Sequence, residues 1–212
     1  MRRTIVVSGF VAVSVLLMAC SITDPLTLLR CQFRIENTED FLLTGIQLDS
    51  LENLSVVQIA EVAAIWASGS CPVDFTLNIG IHNPNNGSTG PDIIPVTLSS
   101  LVWDLYLDGD SETVFDTTWV ASGTMSTPLE IPGANETVLL PLDISFDAFA
   151  LMSEVGVLNF IDLALAIGGI DSGLRTTDHI GRMLVTAVPT ISTPIGPMTY
   201  TGSLNISLDW ID

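Results

Sequence analysis

Regular alternation of apolar and polar residues along several segments predicts β-strands. The clearest segment is 73–81, in which five apolar side chains share one face: Val73, Phe75, Leu77, Ile79 and Ile81. The same two-residue period recurs in 101–107 and in 138–146. Each of the three segments therefore predicts a strand that buries one face and leaves the other towards solvent.

Shorter strands are predicted in the rest of the chain, at residues 31–36, 41–48, 96–98, 114–120, 125–131, 183–187 and 202–210. Asn37-Thr38-Glu39-Asp40 ends the first of them, and residues 189–197 predict an interrupted connection. Asn83-Pro84-Asn85 predicts a turn, since proline gives no N–H to a sheet and asparagine tolerates positive φ. Asp108-Gly109-Asp110 predicts a tight hairpin.

Two segments have helical spacing instead. Ser50 is placed to cap a helix over 51–65, which Ser68-Gly69-Ser70 and Pro72 end. A second helical region runs from Asp147 to about Ile167, with a break at Gly156 and an end at Gly168-Gly169. Short strands, frequent turns and two helices together predict a mainly β chain, folded over 31–212 as a single antiparallel β-sandwich with helical insertions.

The N-terminus has the pattern of a signal peptide. Met1-Arg2-Arg3 precedes an apolar run over 5–18, which is shorter than the roughly 20 residues that cross a bilayer core. The run ends in Leu17-Met18-Ala19-Cys20, which resembles a bacterial lipobox. This resemblance implies a lipoprotein signal peptide over 1–19, lipidation of Cys20 and a tether over 20–30. An ordinary secretory signal with a chance cysteine is the alternative.

Lipidation of Cys20 defines an expected partner and location. Acyl chains on that residue would hold the folded body on a membrane, because each buried CH₂ contributes about 0.8 kcal/mol. The sequence therefore predicts a lipid-anchored protein of the cell envelope, at the periplasmic face of the outer membrane or at the cell surface.

Charge narrows the classes of partner further. The 212 residues contain 24 Asp and Glu against six Arg and no Lys, a formal net charge of −18. A nucleic-acid partner is excluded, because phosphate binding needs a basic surface. Such acidity resembles that of proteins from salt-loving bacteria, in which salt screens the repulsion between carboxylates. A binding surface for a basic partner or for divalent cations is the alternative; the spread of the acids along the chain favours the first interpretation.

Two cysteines remain after the anchor, and both open predicted strands. Cys31 and Cys71 would form a disulfide in an oxidising compartment, closing a loop worth roughly 3–4 kcal/mol. Two free buried thiols, each behaving as a small apolar side chain, are the alternative.

Residues for catalysis or metal binding are sparse. His82 and His179 stand alone, which favours surface or strand-end positions over metal ligation. Residues 108–112 read as a solvated hairpin turn, with weak Ca²⁺ binding as the alternative. Neither a nucleophile motif nor a phosphate loop is present, and with 24 acids any carboxylate pair is uninformative. We therefore expect no enzyme activity, no metal and no cofactor.

The four tryptophans divide into two groups. Trp103 and Trp210 lie on the apolar phase of their predicted strands, which favours core packing. For Trp66 and Trp119 two interpretations stay open: packing in the core, or a platform that binds sugar or lipid.

The order of these segments resembles a known family. The chain resembles the late embryogenesis abundant type 2 family, whose core is also called the water stress and hypersensitive response domain. The resemblance lies in the order of five features: an alternating strand that runs into Asn83-Pro84-Asn85, a strand pair, Val120-Ala121-Ser122-Gly123, Pro132-Gly133 and the alternating segment 138–142. A following helix and the return segment Thr193-Pro194-Ile195-Gly196 also fit. The resemblance implies an immunoglobulin- or fibronectin type III-like sandwich and a non-enzymatic role in desiccation or osmotic stress.

Three functions follow from these features. The leading hypothesis is a membrane-anchored, non-catalytic lipoprotein of the late embryogenesis abundant type 2 kind, acting in envelope stress tolerance or as an interaction module. The alternative is a lipid- or polysaccharide-binding component of an envelope assembly, with an acyl chain held between the sheets and the helical region 149–167. An enzyme that uses two acids is the third.

Overall fold

The computed structural model describes residues 31–47, 56–84, 95–108, 117–125, 127–133, 135–168, 183–193 and 196–207. In chain order its elements are β1 (Gln32–Leu43), β2 (Ile46–Gln47), α1 (Val56–Ala67), β3 (Pro72–Asn83), β4 (Val96–Asp108), β5 (Thr117–Met125), β6 (Leu129–Ile131), β7 (Glu136–Asp147), α2 (Phe149–Val155), α3 (Val157–Ile167), β8 (Met183–Thr193), β9 (Gly196–Thr199) and β10 (Leu204–Ile206). The predicted lipobox, the predicted tether and Ser50 lie outside the described residues.

The strands of this described part form two antiparallel sheets. The first sheet has the order β2-β1-β3-β7, and β3 and β7 pair along their full lengths. The second sheet has the order β10-β8-β4-β5, with β6 paired to the start of β4 and β9 to the end of β8. The predicted antiparallel β-sandwich is therefore confirmed.

The core lies between the sheets and is built by the alternation seen in the sequence. Leu77, Ile79 and Ile81 of β3 face inwards and are fully buried, as are Leu101 and Leu105 of β4. Each such side chain contributes about 1.5–3 kcal/mol on leaving water. The inward faces of β1, β7 and β8 and the helix α3 complete one continuous apolar cluster.

The first strand is longer than the sequence predicts. Residues 37–40 do not end it, because β1 continues to Leu43 and absorbs the polar residues in two register shifts, between Ile35 and Asn37 and between Glu39 and Leu42. Asp40, inside the second shift, has φ of 53°. Such bulges let a strand carry extra residues without losing its pairing partner. The predicted strand over 41–48 is accordingly the end of β1, a turn at Thr44-Gly45 and the short β2.

A similar register shift occurs in β4, where the structure has one strand in place of two predicted ones. The two strands predicted at 96–98 and 101–107 are a single strand, β4, with a register shift between Leu98 and Ser100 against β8. Ser99 lies at this shift, and its hydroxyl donates to the carbonyl of Thr190 at 3.0 Å. The hydroxyl of Ser99, which lies between the two predicted strands, is thus satisfied within the sheet.

Pro189 lies inside β8, not in a connection as predicted. It stands opposite Leu101 of β4, and its carbonyl accepts the N–H of Tyr200 at 2.9 Å. On its other side β8 pairs with β9 from Thr190 onwards and with β10 from Ala187 backwards. Pro189 falls between these two ladders, at a position where a missing N–H costs no ladder bond.

The boundaries of the next two strands were also misplaced. The structure begins β5 at Thr117 and carries it through Met125, whereas the sequence predicts separate strands at 114–120 and 125–131. Only Leu129–Ile131 of the latter segment forms a strand, β6. The antiparallel pairing of β4 with β5 that the predicted hairpin requires is confirmed, and its last described pair is Asp108 with Thr117. The tight turn predicted at Asp108-Gly109-Asp110 stays a prediction, because residues 109–116 lie outside the described residues.

The helical region breaks where predicted. Gly156 separates α2 from α3 with φ of 83°, a conformation that glycine adopts without steric cost. Gly168 follows the last residue of α3, and its N–H donates to the carbonyl of Ala164 at 3.0 Å. Among the described helices, none combines the length and the apolar character needed to cross a bilayer.

Candidate functional site

The two cysteines of the folded body do not form the predicted disulfide. Both are free thiols, and both are buried. Cys31 precedes β1 and Cys71 precedes β3, and these two strands are antiparallel neighbours. Their first residues therefore lie at opposite ends of a twelve-residue strand pair, roughly 35 Å apart at the usual rise per residue. A disulfide needs Cα atoms within about 7 Å.

Burial also makes these thiols unreactive. It raises the pKa of Cys31 to about 11, and burial together with the charge of Asp147 raises that of Cys71 to about 11. The thiolate is the reactive form of cysteine, so both residues remain protonated at neutral pH. They act as small apolar side chains of the core.

The segment Asn83-Pro84-Asn85, in which the sequence predicts a turn, begins at the same end of the first sheet as Cys31. Asn83 is the last residue of β3, fully buried, and pairs with Glu136 of β7. Pro84 follows as the first residue outside the strand, and Asn85 lies outside the described residues. A buried asparagine at a strand end fixes the exit of the chain, since its amide must keep hydrogen-bond partners there.

The remaining candidates for metal binding, His82 and Asp108, lie on different sheets. His82 points to the outer face of the first sheet, with Nδ1 3.2 Å from the hydroxyl oxygen of Thr137. Asp108 ends β4 and is buried, while residues 109–112 and His179 lie outside the described residues. Within the described ranges, no cluster of His, Cys, Asp and Glu has the arrangement of a metal site.

Polar side chains cover the outer face of the first sheet. Arg34 donates through Nε and Nη2 to the two carboxylate oxygens of Glu36, at 2.8 and 2.9 Å. The hydrogen bonds that Arg34 donates to this carboxylate raise the pKa of Arg34, which therefore stays charged. Such a two-point contact fixes both side chains against the strand.

A chain of amides continues the same surface. Asn78 is 5% exposed and donates to the amide oxygen of Asn37 at 2.9 Å, and Asn37 donates to Glu39 at 3.3 Å. On the next strand pair the hydroxyl of Thr76 donates to Asp143 at 3.4 Å. These groups satisfy one another, so the surface is a structural polar layer.

Asp147 joins three elements at the other end of the first sheet. One carboxylate oxygen accepts the N–H groups of Phe149 and Cys71, both at 2.9 Å, and the other accepts the hydroxyl of Ser70 at 2.8 Å. The hydrogen bonds from the N–H of Phe149 and then of Cys71 lower the pKa of Asp147, and that from Ser70 adds to them. The start of α2 is thereby tied to the start of β3.

Asp147→Asn is expected to lower stability at pH 7 by about 0.3–1 kcal/mol, the usual range for an exposed negative charge beside the start of a helix. The folded chain holds the pKa of Asp147 below its unfolded value of about 3.9, so the charge stabilises the fold above that pH. This contribution disappears as the pH falls through the folded value. Urea unfolding at pH 7 and at about pH 2 should therefore show a difference between variant and wild type that shrinks in acid.

Asp143→Asn is the matched control for this measurement. Asp143 lies on the same strand, is exposed, and has only the long contact with Thr76. Its substitution should change stability by no more than about 0.5 kcal/mol. Equal losses at Asp143 and Asp147, or an Asp147 effect that is independent of pH, would contradict the proposed role of this junction.

The tryptophans separate between the core and the surface. Trp103 is buried, as predicted from its phase in the strand, and its ring lies against Gly123 of β5. Trp66 and Trp119, which the sequence left open, are 41% and 55% exposed. Trp210 lies outside the described residues.

Trp119 belongs to an apolar surface on the outside of the second sheet. It pairs with Tyr106, which pairs in turn with Leu184, so these side chains form a row across β5, β4 and β8. Val102, half exposed, pairs with Val188 four residues back along β4. We call these five residues, Trp119, Tyr106, Leu184, Val102 and Val188, the aromatic face.

A carboxylate lies within the aromatic face. Asp104 stands between the two rows, and it accepts the indole N–H of Trp119 at 3.2 Å. Ser122 and Thr186 flank it on the neighbouring strands. Sequence reasoning missed this site because Tyr106, Val102 and Leu184 occupy the polar phase of their strands. The signal that could have found it is this repeated placing of apolar residues in the outward phase.

Comparisons with known proteins add little. No family model matches the chain, and no curated protein matches it. A crystal structure of a protein from Archaeoglobus fulgidus is 13% identical, with a TM-score of 0.33 over 84% of this chain and 99% of that chain. The solution structure of a protein described as late embryogenesis abundant (LEA) is 14% identical, with a TM-score of 0.32 over 95% of this chain and 80% of that one. At this level of similarity neither structure assigns the chain to a family.

Proposed function

We propose that the protein is a membrane-anchored, non-catalytic lipoprotein with a late embryogenesis abundant type 2-like β-sandwich. In this proposal it acts in desiccation or osmotic stress tolerance of the cell envelope, or as an interaction module there. In this proposal Cys20 carries the anchor, and the predicted tether of 20–30 could reach at most about 40 Å when fully extended.

The order of elements after the first long strand is the observation that carries the proposal. An inward-alternating β3 runs into Asn83-Pro84, a β4–β5 hairpin follows, and β7 pairs back onto β3 before the helices α2 and α3. This is the order on which the sequence resemblance to the type 2 family rests.

A physical role in drying follows from charge and anchoring. The 212-residue chain has a formal net charge of −18, and removal of residues 1–19 with Arg2 and Arg3 would leave −20. Such molecules repel one another, and this repulsion opposes aggregation as water is removed and molecules crowd together. Lipidation would hold that repulsive layer at the membrane. The saline habitat predicted from the acidity stays a prediction; abundant salt would weaken the repulsion, so protection should be largest at low ionic strength.

Two measurements test the two halves of this proposal. In its host, the protein should incorporate labelled palmitate, and Cys20→Ala should abolish the label while Cys31→Ala keeps it. The purified protein should also preserve the activity of a co-dried soluble enzyme better than an equal mass of a neutral globular protein. Absence of label on the wild-type chain would overturn the anchor, and equal protection by both proteins would overturn the stress role.

The alternative function, binding of an acyl lipid between the sheets and the helices, receives less support. That site would need the apolar side chains of α3 to line an opening. Phe160, Leu163 and Leu165 are instead packed into the continuous core, and Leu163 and Leu165 are fully buried. Binding of polysaccharide would have to use an outer surface, for which the aromatic face is the candidate.

A further inference from the structure

We propose that the aromatic face binds an arginine- or lysine-rich segment of a partner protein. This inference goes beyond the proposed stress role by naming a partner class. It does not depend on the lipid anchor, because every residue that carries it lies on the described strands β4, β5 and β8.

The aromatic face lies on three adjacent strands. Its side chains form two rows on the same side of the sheet, which lie four residues apart along β4. The first row is Trp119–Tyr106–Leu184, and the second contains Val102 and Val188. Trp119 and Val102 are each at least half exposed. Exposed apolar side chains that cluster in this way, instead of being scattered singly, mark interaction surfaces.

Trp119 is held in one orientation. Its indole N–H donates to Asp104 at 3.2 Å, which directs the polar edge of the ring towards the sheet carboxylate. More than half of Trp119, 55% of the residue, is exposed, so a partner can contact the side chain. The electron-rich face of tryptophan is the strongest aromatic site for a lysine or arginine side chain.

The carboxylate adds the second requirement for a cation. Asp104 has acceptor capacity beyond its bond to Trp119, because an ionised carboxylate takes about four hydrogen bonds. A guanidinium stacked on the indole could donate to this oxygen pair at the same time. The combination of an oriented aromatic ring and an adjacent carboxylate is the chemistry that recognises arginine.

Charge complementarity selects a basic occupant over an acidic or neutral one. The chain carries a net charge of −18. Within the described residues the one Arg or Lys is Arg34, which lies on the first sheet and is bonded to Glu36. No described cation therefore competes for the aromatic face, and a basic segment is drawn to it by the field of the whole molecule.

Fluorescence anisotropy of a labelled oligo-arginine peptide, titrated with the purified mature protein in detergent, tests this proposal. Because a chain this acidic attracts any cation, the informative comparison is between variants. Trp119→Ala and Asp104→Asn should each weaken binding by about three- to tenfold, the range for an aromatic–cation contact. Leu139→Ala is the control, since Leu139 is equally exposed but lies on the outer face of the first sheet.

The results of this titration distinguish a basic peptide from the other possible ligands of the aromatic face. Selective weakening by Trp119→Ala and Asp104→Asn, still present in molar KCl, supports a specific basic partner. Equal affinity of all four proteins would overturn the proposal in favour of unspecific charge attraction. Binding of soluble dextran that depends on Trp119, without such dependence for the peptide, would overturn it in favour of a neutral polysaccharide. Circular dichroism of each variant verifies the fold. If Trp119→Ala unfolds, the peptide affinity of Asp104→Asn, which conserves the shape of the side chain, still tests the proposal.

Discussion

Leu163→Ala is expected to destabilise the protein by about 2–5 kcal/mol, the range for removing a leucine side chain from a packed core. Leu163 is fully buried in the C-terminal half of α3, within the cluster that unites the helix with both sheets. Alanine would leave a cavity that the surrounding strands fill only in part. Urea unfolding of wild type and variant at neutral pH measures the loss.

Leu139→Ala is the control for this experiment, because Leu139 is 50% exposed on the outer face of β7. It should change stability by no more than about 0.5 kcal/mol. A loss below about 1 kcal/mol at Leu163 would mean that α3 is loosely packed and lines an opening. That result would revive the acyl-lipid alternative, whereas the expected loss makes the helix a fixed part of the sandwich.

The strands that could be predicted from the sequence are those in which one face is buried along the whole strand. In β3 and β7 the apolar residues alternate without interruption, and their predicted extents agree closely with the structure. The physical reason is that a slip of one residue would move the entire apolar set to the wrong face. Gly156 was predictable for a related reason, since a glycine between two apolar helical runs marks a place where helical φ is lost.

The strands that could not be predicted contain bulges. In β1 the polar run 37–40 has the composition of a turn, and the pairing with β3 that carries it through is a long-range contact. In β4 the pair Ser99-Ser100 gives the same false signal. A bulge depends on what the neighbouring strand offers, and periodicity along a single strand does not contain that information.

The error over the cysteines has the same origin. Cys31 and Cys71 each directly precede a strand, close to where the sequence predicts a strand start, but whether they can form a disulfide depends on the direction in which those strands pair. β2 and α1 intervene between β1 and β3, so no hairpin signal in the sequence reveals that they are antiparallel neighbours. Once the pairing is known, the first residues of the two strands must lie at opposite ends of the sheet.

Gly123→Ala should destabilise the fold by about 1–3 kcal/mol, the cost of adding a methyl group to a packed site. A Cβ atom at Gly123 would meet Cζ2 of Trp103 and lie 2.7 Å from its Cε2. Trp103 is buried and pairs directly with Gly123 across β4 and β5, so the ring has little room to turn away. Urea unfolding should show the loss, while Ser122→Ala and Thr124→Ala, on exposed neighbours, change stability by no more than about 0.5 kcal/mol.

Trp103→Phe identifies the cause of that loss. Cζ2 and Cε2 belong to the part of the indole that phenylalanine lacks, so the smaller ring opens space over position 123. Trp103→Phe alone should destabilise the core, but in the double variant the cost of Gly123→Ala should largely vanish, giving a favourable coupling of about 1 kcal/mol or more. Additive losses would show that Gly123 is required by its backbone and not by the ring. Coupling would show that Gly123, in the family-like segment Val120-Ala121-Ser122-Gly123, is required because the buried ring of Trp103 occupies the space that a side chain would need.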